Sequence, residues 1–546
     1  MVVTIYSDKL KSGIMKSKLK VSLLDCGSSR TEINEPLALE LLEGSLEREL
    51  GDRTHLDISL QSEVLKPFDL DDVGSQTDIV GISTKLGSIN SVRRIIEHYS
   101  AFPSPPVIVF GNLLSTFAFN EMLDTFPDGL VVKGEGEDAI VGIAESILNI
   151  PSGNQYFRKE LARRDVPNLA FILDGKKFET TRKIVDLNKV ALPNRYFLPE
   201  VIGKRGIVRA EGSRGCPWSR CSYCAISAKY DYVGWRSFPL DYMITELETI
   251  SNMGGMHPYY TDEDFFGGDR SRVLELAERI LEAKREGRIN PDLTLYVDAR
   301  VNTILGVKQG GLEQSIPMLQ KLKDAGLREV FLGIESGSKK QMKRYGKGAV
   351  TNYNVKALEV LRNLGISVDI GFIMFDAEST LDDLKYNVAF IYSTQIQNHD
   401  SRLTKKVRVQ PYTGLHKQMM EKGILTDQLE VNSLTYPYEF QDRGVAEVYK
   451  SFKLWESETE NFVYMLQAAC RGEVKDERIR KYRRNALGEF RFLDLEYLSA
   501  CIGMAEQRSS SFQKQMAIIK PSFESRRNSL IEKYKPIIIE LQERCN

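Results

Sequence analysis

The sequence predicts an α/β fold: a doubly wound parallel sheet, then a second β-α region forming a barrel or an open part of one, then a helical domain. Three observations carry this. Continuous apolar runs alternate with amphipathic stretches over residues 1–150, the pattern of strands covered by helices on both faces. The alternation resumes over residues 206–424 in longer units, at about the 35-residue period of a β/α barrel. Over residues 425–546 helical periodicity takes over, rich in Arg, Lys and Glu.

The 546 residues include 74 basic and 75 acidic side chains, so several cores can form and no broad electropositive surface for nucleic acid is advertised. Four of the seven cysteines, Cys26, Cys470, Cys501 and Cys545, are widely scattered, unlike the dense framework of a small secreted protein, and packing accounts for Cys470, Cys501 and Cys545. No segment reaches the roughly 20 apolar residues that cross a bilayer, and "MVVTIYSDKLKSGIMKSKLK" lacks the apolar core of a signal peptide. The expectation is a soluble cytoplasmic protein with no membrane or nucleic-acid partner.

In chain order, "KVSLLD", "DIVGIST", "PVIVFGN" and "GLVVKGEGE" read as strands, separated by helical "NEPLALELLEGSLEREL", "NSVRRIIEHYS" and "STFAFNEMLDTF" and followed by "AIVGIAESIL". Asn34 is the candidate N-cap of the first helix, with Pro36 in its first turn. Residues 151–205 read as a connector holding one hairpin. Then "TLYVDARVN", "EVFLGIESGS" and "SVDIGFIMFDAEST" alternate with helices, the last beginning near Leu381. Ligands of such a fold sit at the carboxyl ends of its strands. The run "KKQMKRYGKG" reads as a solvated helix end, and His399 and His416 as ordinary surface or core residues.

The remaining cysteines, Cys216, Cys221 and Cys224, crowd into "GSRGCPWSRCSYCAIS". A short loop with Gly and Pro can wrap an inorganic centre without straining a helix or strand. Structural zinc wants a fourth ligand, and the closest downstream histidine is the distant His257. Three thiolates fit a [4Fe-4S] cluster with one iron left open to a substrate or cosubstrate.

On these residues the loop resembles that of the radical S-adenosylmethionine (SAM) enzymes, whose usual spacing is C-x3-C-x2-C; here the first gap holds Pro217, Trp218, Ser219 and Arg220. The resemblance implies cluster ligation by the three cysteines and SAM chelated at the open iron. It places Tyr223 near the adenine, Asp262, Glu263 and Asp264 of "YYTDEDFFGGD" facing the site, and Arg300 of "DARVN" on the SAM carboxylate. It assigns Gly333, Glu335 and Ser336 to the fourth strand's methionine and ribose contacts, and Gly371 and Ile373 to the fifth strand. "RVQPYTGLHKQM" matches the sixth strand, whereas Phe375 and Ala377 replace a glycine and a proline common in the fifth.

The N-terminal region resembles the cobalamin-binding domain of the cobalamin-dependent branch, with Ser83, Gly111, Gly134, Glu135 and Gly136, together with Gly81, at the ends of its strands. The loop after the first strand, "DCGSSRTE", holds no histidine, which implies cobalamin without a histidine ligand to cobalt. The branch implies hydrogen abstraction by a 5'-deoxyadenosyl radical, methylation of an unactivated carbon in a natural product or peptide, and an electron donor such as flavodoxin or ferredoxin. Two alternatives stay open: a non-methylating rearrangement, cyclisation, ring contraction or sulfur insertion, and a tRNA methylthiotransferase. The second family carries three further cysteines in its N-terminal domain, where this chain has only Cys26.

Overall fold

The computed structural model describes residues 18–27, 33–71, 77–149, 155–307, 311–348, 351–398, 403–426, 428–460, 462–463, 466, 477–507 and 512–545. The chain divides into two compact units. One is formed by residues up to Val201 with 225–234 and 429–435, the other by 202–224, 235–428 and 436 onward.

The first unit is built on a seven-stranded sheet of order β2-β1-β3-β4-β5-β6-β7. Its strands are β1 (Lys18–Asp25), β2 (His55–Ser62), β3 (Ile79–Ser83), β4 (Val107–Gly111), β5 (Leu130–Val132), β6 (Leu169–Leu173) and β7 (Lys176–Glu179). The first five are parallel, and β6 and β7 add antiparallel. The hairpin expected in the connector is therefore β6–β7, and it extends this sheet. Leu19, Val21, Leu23, Ile79, Val80, Val109 and Val131 form the apolar interior. Strand β2 was not anticipated, because "HLDISLQS" interleaves polar residues and lies at the sheet edge with half of its positions half-buried. The helix Leu37–Leu50 starts later than expected: Pro36 is its N-cap residue and no side chain caps it, so Asn34 lies outside the helix.

The second unit holds a five-stranded parallel sheet of order β14-β13-β12-β11-β8 and a small β10-β9 pair. Its members are β8 (Arg209–Ala210), β9 (Ser213–Arg214), β10 (Arg236–Ser237), β11 (Tyr259–Tyr260), β12 (Leu295–Arg300), β13 (Leu327–Glu335) and β14 (Ser367–Phe372). The helices Leu240–Asn252, Arg270–Arg285, Gly311–Ala325 and Thr351–Asn363 connect successive strands, so this is an open part of a barrel. The helix expected near Leu381 is Leu381–Thr394, held by a capping box between Thr380 and Asp383. The expected sixth strand is reduced to one bridge, Phe375 with Lys406, because Pro411 and the left-handed Tyr412 end the extended run.

The helices Arg443–Ser457, Glu477–Glu506 and Phe512–Cys545 follow. Trp455 stacks on Tyr497 at 4.4 Å and donates to Asp494 at 2.7 Å. Cys501 is buried among these helices, the packing role expected of it, and Cys26 is buried beside β1. Cys470 and His399 lie outside the described residues, and His416 stacks on Tyr436. No helix among the described residues is long and apolar enough to cross a membrane.

Candidate cofactor site

In a parallel sheet every crossover returns the chain to the same edge, so the segments after β8, β11, β12, β13 and β14 gather at the carboxyl end. The segment after β8 carries the cysteines. Its approach is fixed by the acidic run after β11. Asp262 accepts hydrogen bonds from Gly212 N at 2.8 Å and from Ser213 Oγ at 2.5 Å, and Glu263 accepts from Gly215 N at 2.8 Å. Burial pushes the Asp262 carboxyl up to about 8, against the pull of those two donors. Asp262 and Glu263 thus spend their oxygens on the loop itself.

Asp264 is fully buried, with its carboxyl raised by burial to about 6 despite the nearby Arg300 charge. Thr303 donates to its Oδ1 at 3.2 Å, while Oδ2 has no hydrogen-bond partner among the described residues. The Nε of Arg300 is likewise buried without one, and its guanidinium lies 5.3 Å over the Trp218 ring. An orphaned acceptor and an orphaned donor at one sheet edge leave polar capacity for a ligand.

The cysteine loop is fastened to the turn that ends the helix Lys339–Tyr345. Trp218 Nε1 donates to Gly346 O at 2.8 Å, Ser222 N to Tyr345 O at 2.8 Å, and Ser222 Oγ to Arg344 O at 2.9 Å. Gly346 and Gly348 both have positive φ, and a Cβ on Gly348 would lie 2.5 Å from the Trp218 ring. Trp218, in the four-residue gap between Cys216 and Cys221, thus fills the space between loop and turn.

That turn presents Lys347, which the sequence reading placed in solvent. The lysine is buried, and Nζ donates to Glu335 Oε1 at 2.7 Å and to Tyr223 OH at 3.5 Å. In the helix ahead of it only Lys339, Lys340 and Lys343 are exposed; the chain then reverses through two glycines and carries Lys347 inward. Its neighbours could have been found from one signal, the Gly-Lys-Gly run directly after a helix stop. Glu335 sits at a bulge between β13 and β14 with φ 67°, a strained conformation for a non-glycine. Ile373 N donates to its carbonyl at 2.7 Å and helps hold it there. A Cβ on Gly333 would lie 2.6 Å from Lys347 Nζ and 2.7 Å from Glu335 Oε1, so the ion pair occupies the space that glycine leaves.

Burial pushes the Cys221 thiol up, and Lys347 is the first charge drawing it back. Burial and then the Glu335 charge hold the Tyr223 hydroxyl well above its ordinary range. The structure therefore brings Cys216, Cys221, Tyr223, Cys224, Asp264, Arg300, Gly333 and Glu335 together. Gly371 lies opposite Gly333 in the sheet. Ser336 points away from them, its Oγ 2.6 Å from Gln341 Oε1 and 2.8 Å from Asn387 Oδ1, and Ile373 packs into an apolar cluster with Tyr345, Val409 and Tyr438.

None of the three cysteines is in a disulfide. Among the described residues no three His, Cys, Asp or Glu side chains converge on a point where one metal ion would sit. A cluster makes a different demand, that each thiolate reach its own iron around a wrapped loop, and this donor set fits it.

In the first unit the order β2-β1-β3 places a crevice at the carboxyl ends of β1 and β3, the usual ligand edge of such a sheet. There Lys85 pairs with the buried Asp25 at 2.6 Å. Ser83 ends β3 and accepts from Asn112 Nδ2 at 2.9 Å; Gly111 ends β4, and a Cβ on it would meet nothing within 4 Å. Gly134 has φ +89° and is crowded by Arg182, while Gly136 begins the turn into the helix Glu137–Asn149. Glu135 is engaged by Val185 N at 2.8 Å. Open space over Gly111 fits a bulky ligand on this edge. Part of the histidine-free loop after β1, residues 28–32, lies outside the described residues.

The Radical SAM superfamily matches residues 211–390. The 4'-phospho-dehydrooxetanocin synthase of Priestia megaterium is 29% identical over 337 residues, 59% of this chain and 43% of that protein, so the chain spans less than half of this relative. The solved structure of the cobalamin-dependent S-adenosylmethionine radical enzyme OxsB, with aqua-cobalamin and S-adenosylmethionine bound, has a TM-score of 0.76 at 20% identity, covering 96% of this chain and 80% of that one. The radical S-adenosylmethionine methyltransferase TsrM from Kitasatospora setae, with cobalamin and a [4Fe-4S] cluster bound, has a TM-score of 0.56 at 16% identity, covering 74% and 75%.

Proposed function

We propose, from the premise that this chain is an enzyme of the radical SAM superfamily, that it methylates an unactivated carbon of a natural product or peptide with the help of cobalamin. Cys216, Cys221 and Cys224 would hold a [4Fe-4S] cluster, and the carboxyl edge around Ser83, Gly111 and Gly134 would hold cobalamin without a histidine ligand. When bound, these groups supply an electron for reductive cleavage of SAM to a 5'-deoxyadenosyl radical, and a methyl group for carbon. The chain's own part is binding, orientation and shielding. Arg300 and the Glu335–Lys347 pair offer charge to the amino-acid end of SAM. Tyr223, packed edge-on to Tyr345 at 5.1 Å, and the apolar cluster behind it keep water from the reacting atoms. An electron donor such as flavodoxin or ferredoxin would serve it.

The observation that carries this reading is the placement of three thiols beside a buried Glu-Lys pair at one sheet edge. A non-methylating radical rearrangement or cyclisation is the second reading. It draws support from the relative named a synthase and from the OxsB match running over more of the chain than the methyltransferase match. Anaerobic reconstitution with iron, sulfide and cobalamin, then reduction with SAM and mass spectrometry of the products, separates them. 5'-Deoxyadenosine with S-adenosylhomocysteine supports methylation, and 5'-deoxyadenosine alone supports the second reading. Neither product, from a cluster-loaded protein, overturns both.

A further inference from the structure

We propose that Lys347 is a positioning residue of the cofactor site: its ammonium fixes the Glu335 carboxylate toward SAM and is the counter-charge that eases reduction of a cluster on Cys216, Cys221 and Cys224. This rests on the reading of the cysteine loop given above. Lys347 is 6% exposed and Glu335 is 8% exposed, and their nitrogen and oxygen are 2.7 Å apart. A buried ion pair adds little stability over a well-packed apolar pair, because desolvation offsets the attraction. Retaining one here, at a strained backbone position, is explained by what it does to a ligand.

The geometry leaves the pair little freedom. Gly333 leaves the space that both charged groups occupy, and Tyr223 gives the ammonium a second acceptor at 3.5 Å. Gly346 is tied to Trp218, and Tyr345 to Ser222, so the turn that carries Lys347 is bonded directly to the loop that carries the cysteines. The described residues offer two acceptors for the three N–H bonds of Lys347, which leaves one for a ligand. A fixed cation in a low-dielectric pocket favours the added electron when a cluster is reduced. Arg300, the other nearby cation, is partly spent on Asp264 and lies over Trp218.

The test compares wild type, Lys347→Met, Lys347→Arg and the double variant Glu335→Gln/Lys347→Met, each reconstituted anaerobically with iron and sulfide. Potentiometric titration followed by electron paramagnetic resonance gives the cluster's midpoint potential, and the change of that signal with added SAM gives its Kd. In Lys347→Met the ratio of reduced to oxidised cluster at a fixed potential falls about tenfold, a shift of about 59 mV for a one-electron couple, and Kd rises about tenfold. Lys347→Arg returns the potential toward wild type because the charge returns, while Kd recovers only in part because the fork does not fit the space over Gly333. The double variant leaves no uncompensated charge, so it folds even where Lys347→Met does not, and its SAM binding stays weak. Unchanged potential and Kd in Lys347→Met overturn the proposal, as does a Lys347→Arg potential no nearer wild type or a wild-type Kd in the double variant. A wild type that takes up no iron brings down the reading of the loop; one that takes up iron but ignores SAM brings down the radical SAM reading, whereas one that binds SAM and is unmoved by Lys347→Met brings down this proposal alone.

Discussion

Replacing Trp218 with alanine removes, in one change, what fastens the cysteine loop to the turn at Gly346–Gly348. The indole N–H loses its 2.8 Å hydrogen bond to Gly346 O, a net contribution of about 1 kcal/mol. The guanidinium of Arg300, 5.3 Å over the ring, loses a contact of about 0.5–1 kcal/mol. Removing a half-buried aromatic side chain adds about 1.5 kcal/mol, so the variant should be about 3 kcal/mol less stable in this region. Trp218→Phe keeps a smaller aromatic ring and loses the hydrogen bond, at about 1 kcal/mol for that bond. The loss is read twice, as a shift in the urea unfolding transition of the reduced apoprotein and as iron bound per chain after reconstitution. Both should fall in the order wild type, Phe, Ala. A Trp218→Ala protein within about 0.5 kcal/mol of wild type that also loads its cluster fully would refute the idea that the extra residue of the first cysteine gap exists to seat this ring.

Asp376→Ala should cost about 3–5 kcal/mol in the same unfolding assay, because Gln341 Nε2, Tyr345 OH and Arg344 lose the carboxylate they share at 2.9–3.2 Å. Asp262→Asn should change the pH dependence of stability. The folded carboxyl is raised to about 8 from the usual 3.8, so its contribution is full below about pH 4 and is lost as the pH climbs toward 8. The asparagine variant should therefore lose up to about 1.4 kcal/mol per pH unit less than wild type over that window, measured by denaturation at each pH. Gly111→Ala should leave stability within about 0.5 kcal/mol, since its φ is −131° and a Cβ there meets nothing, yet weaken cobalamin uptake measured by absorbance after desalting. Undiminished uptake would move cobalamin off this edge.

The fold was legible where burial is two-sided. Strands β1, β3 and β4 lie inside the sheet with a strand on either side, so their buried apolar residues, Leu19, Val21, Leu23 and Leu24 in β1 and Ile79, Val80 and Ile82 in β3, stand out even where Lys20 and Ser22 interrupt β1. Strand β2 pairs on one side only, and β6 and β7 close the sheet as an antiparallel hairpin, so neither pattern announces membership of the sheet. The helix Leu37–Leu50 was found but its start was not. A Pro-Leu boundary without a capping side chain is weaker punctuation than the Thr380–Asp383 box that the structure shows at the start of Leu381–Thr394.

The site divides along a different line. Thiols crowded at short spacing declare a shared centre, because nothing about an isolated core cysteine demands neighbours. Acidic residues make no such declaration. "TDEDFF" reads as one group, yet Asp262 and Glu263 hold backbone N–H groups of the cysteine loop, while only Asp264 keeps a buried oxygen unpaired. Which carboxylate supports and which faces a ligand depends on where Gly212 and Gly215 pass, a long-range fact that local pattern does not contain. Ser336 shows the same limit, since Gln341 and Asn387 reach it from two different helices. Lys347 is the extreme case: a lysine in a basic run is solvated unless the backbone turns it inward. Here it does so because Gly346 and Gly348 adopt positive φ and Trp218 grips the turn. Trp218 in the long cysteine gap and the buried Lys347, read separately as an irregular spacing and a solvated charge, meet at one turn, through the Trp218 bond to Gly346.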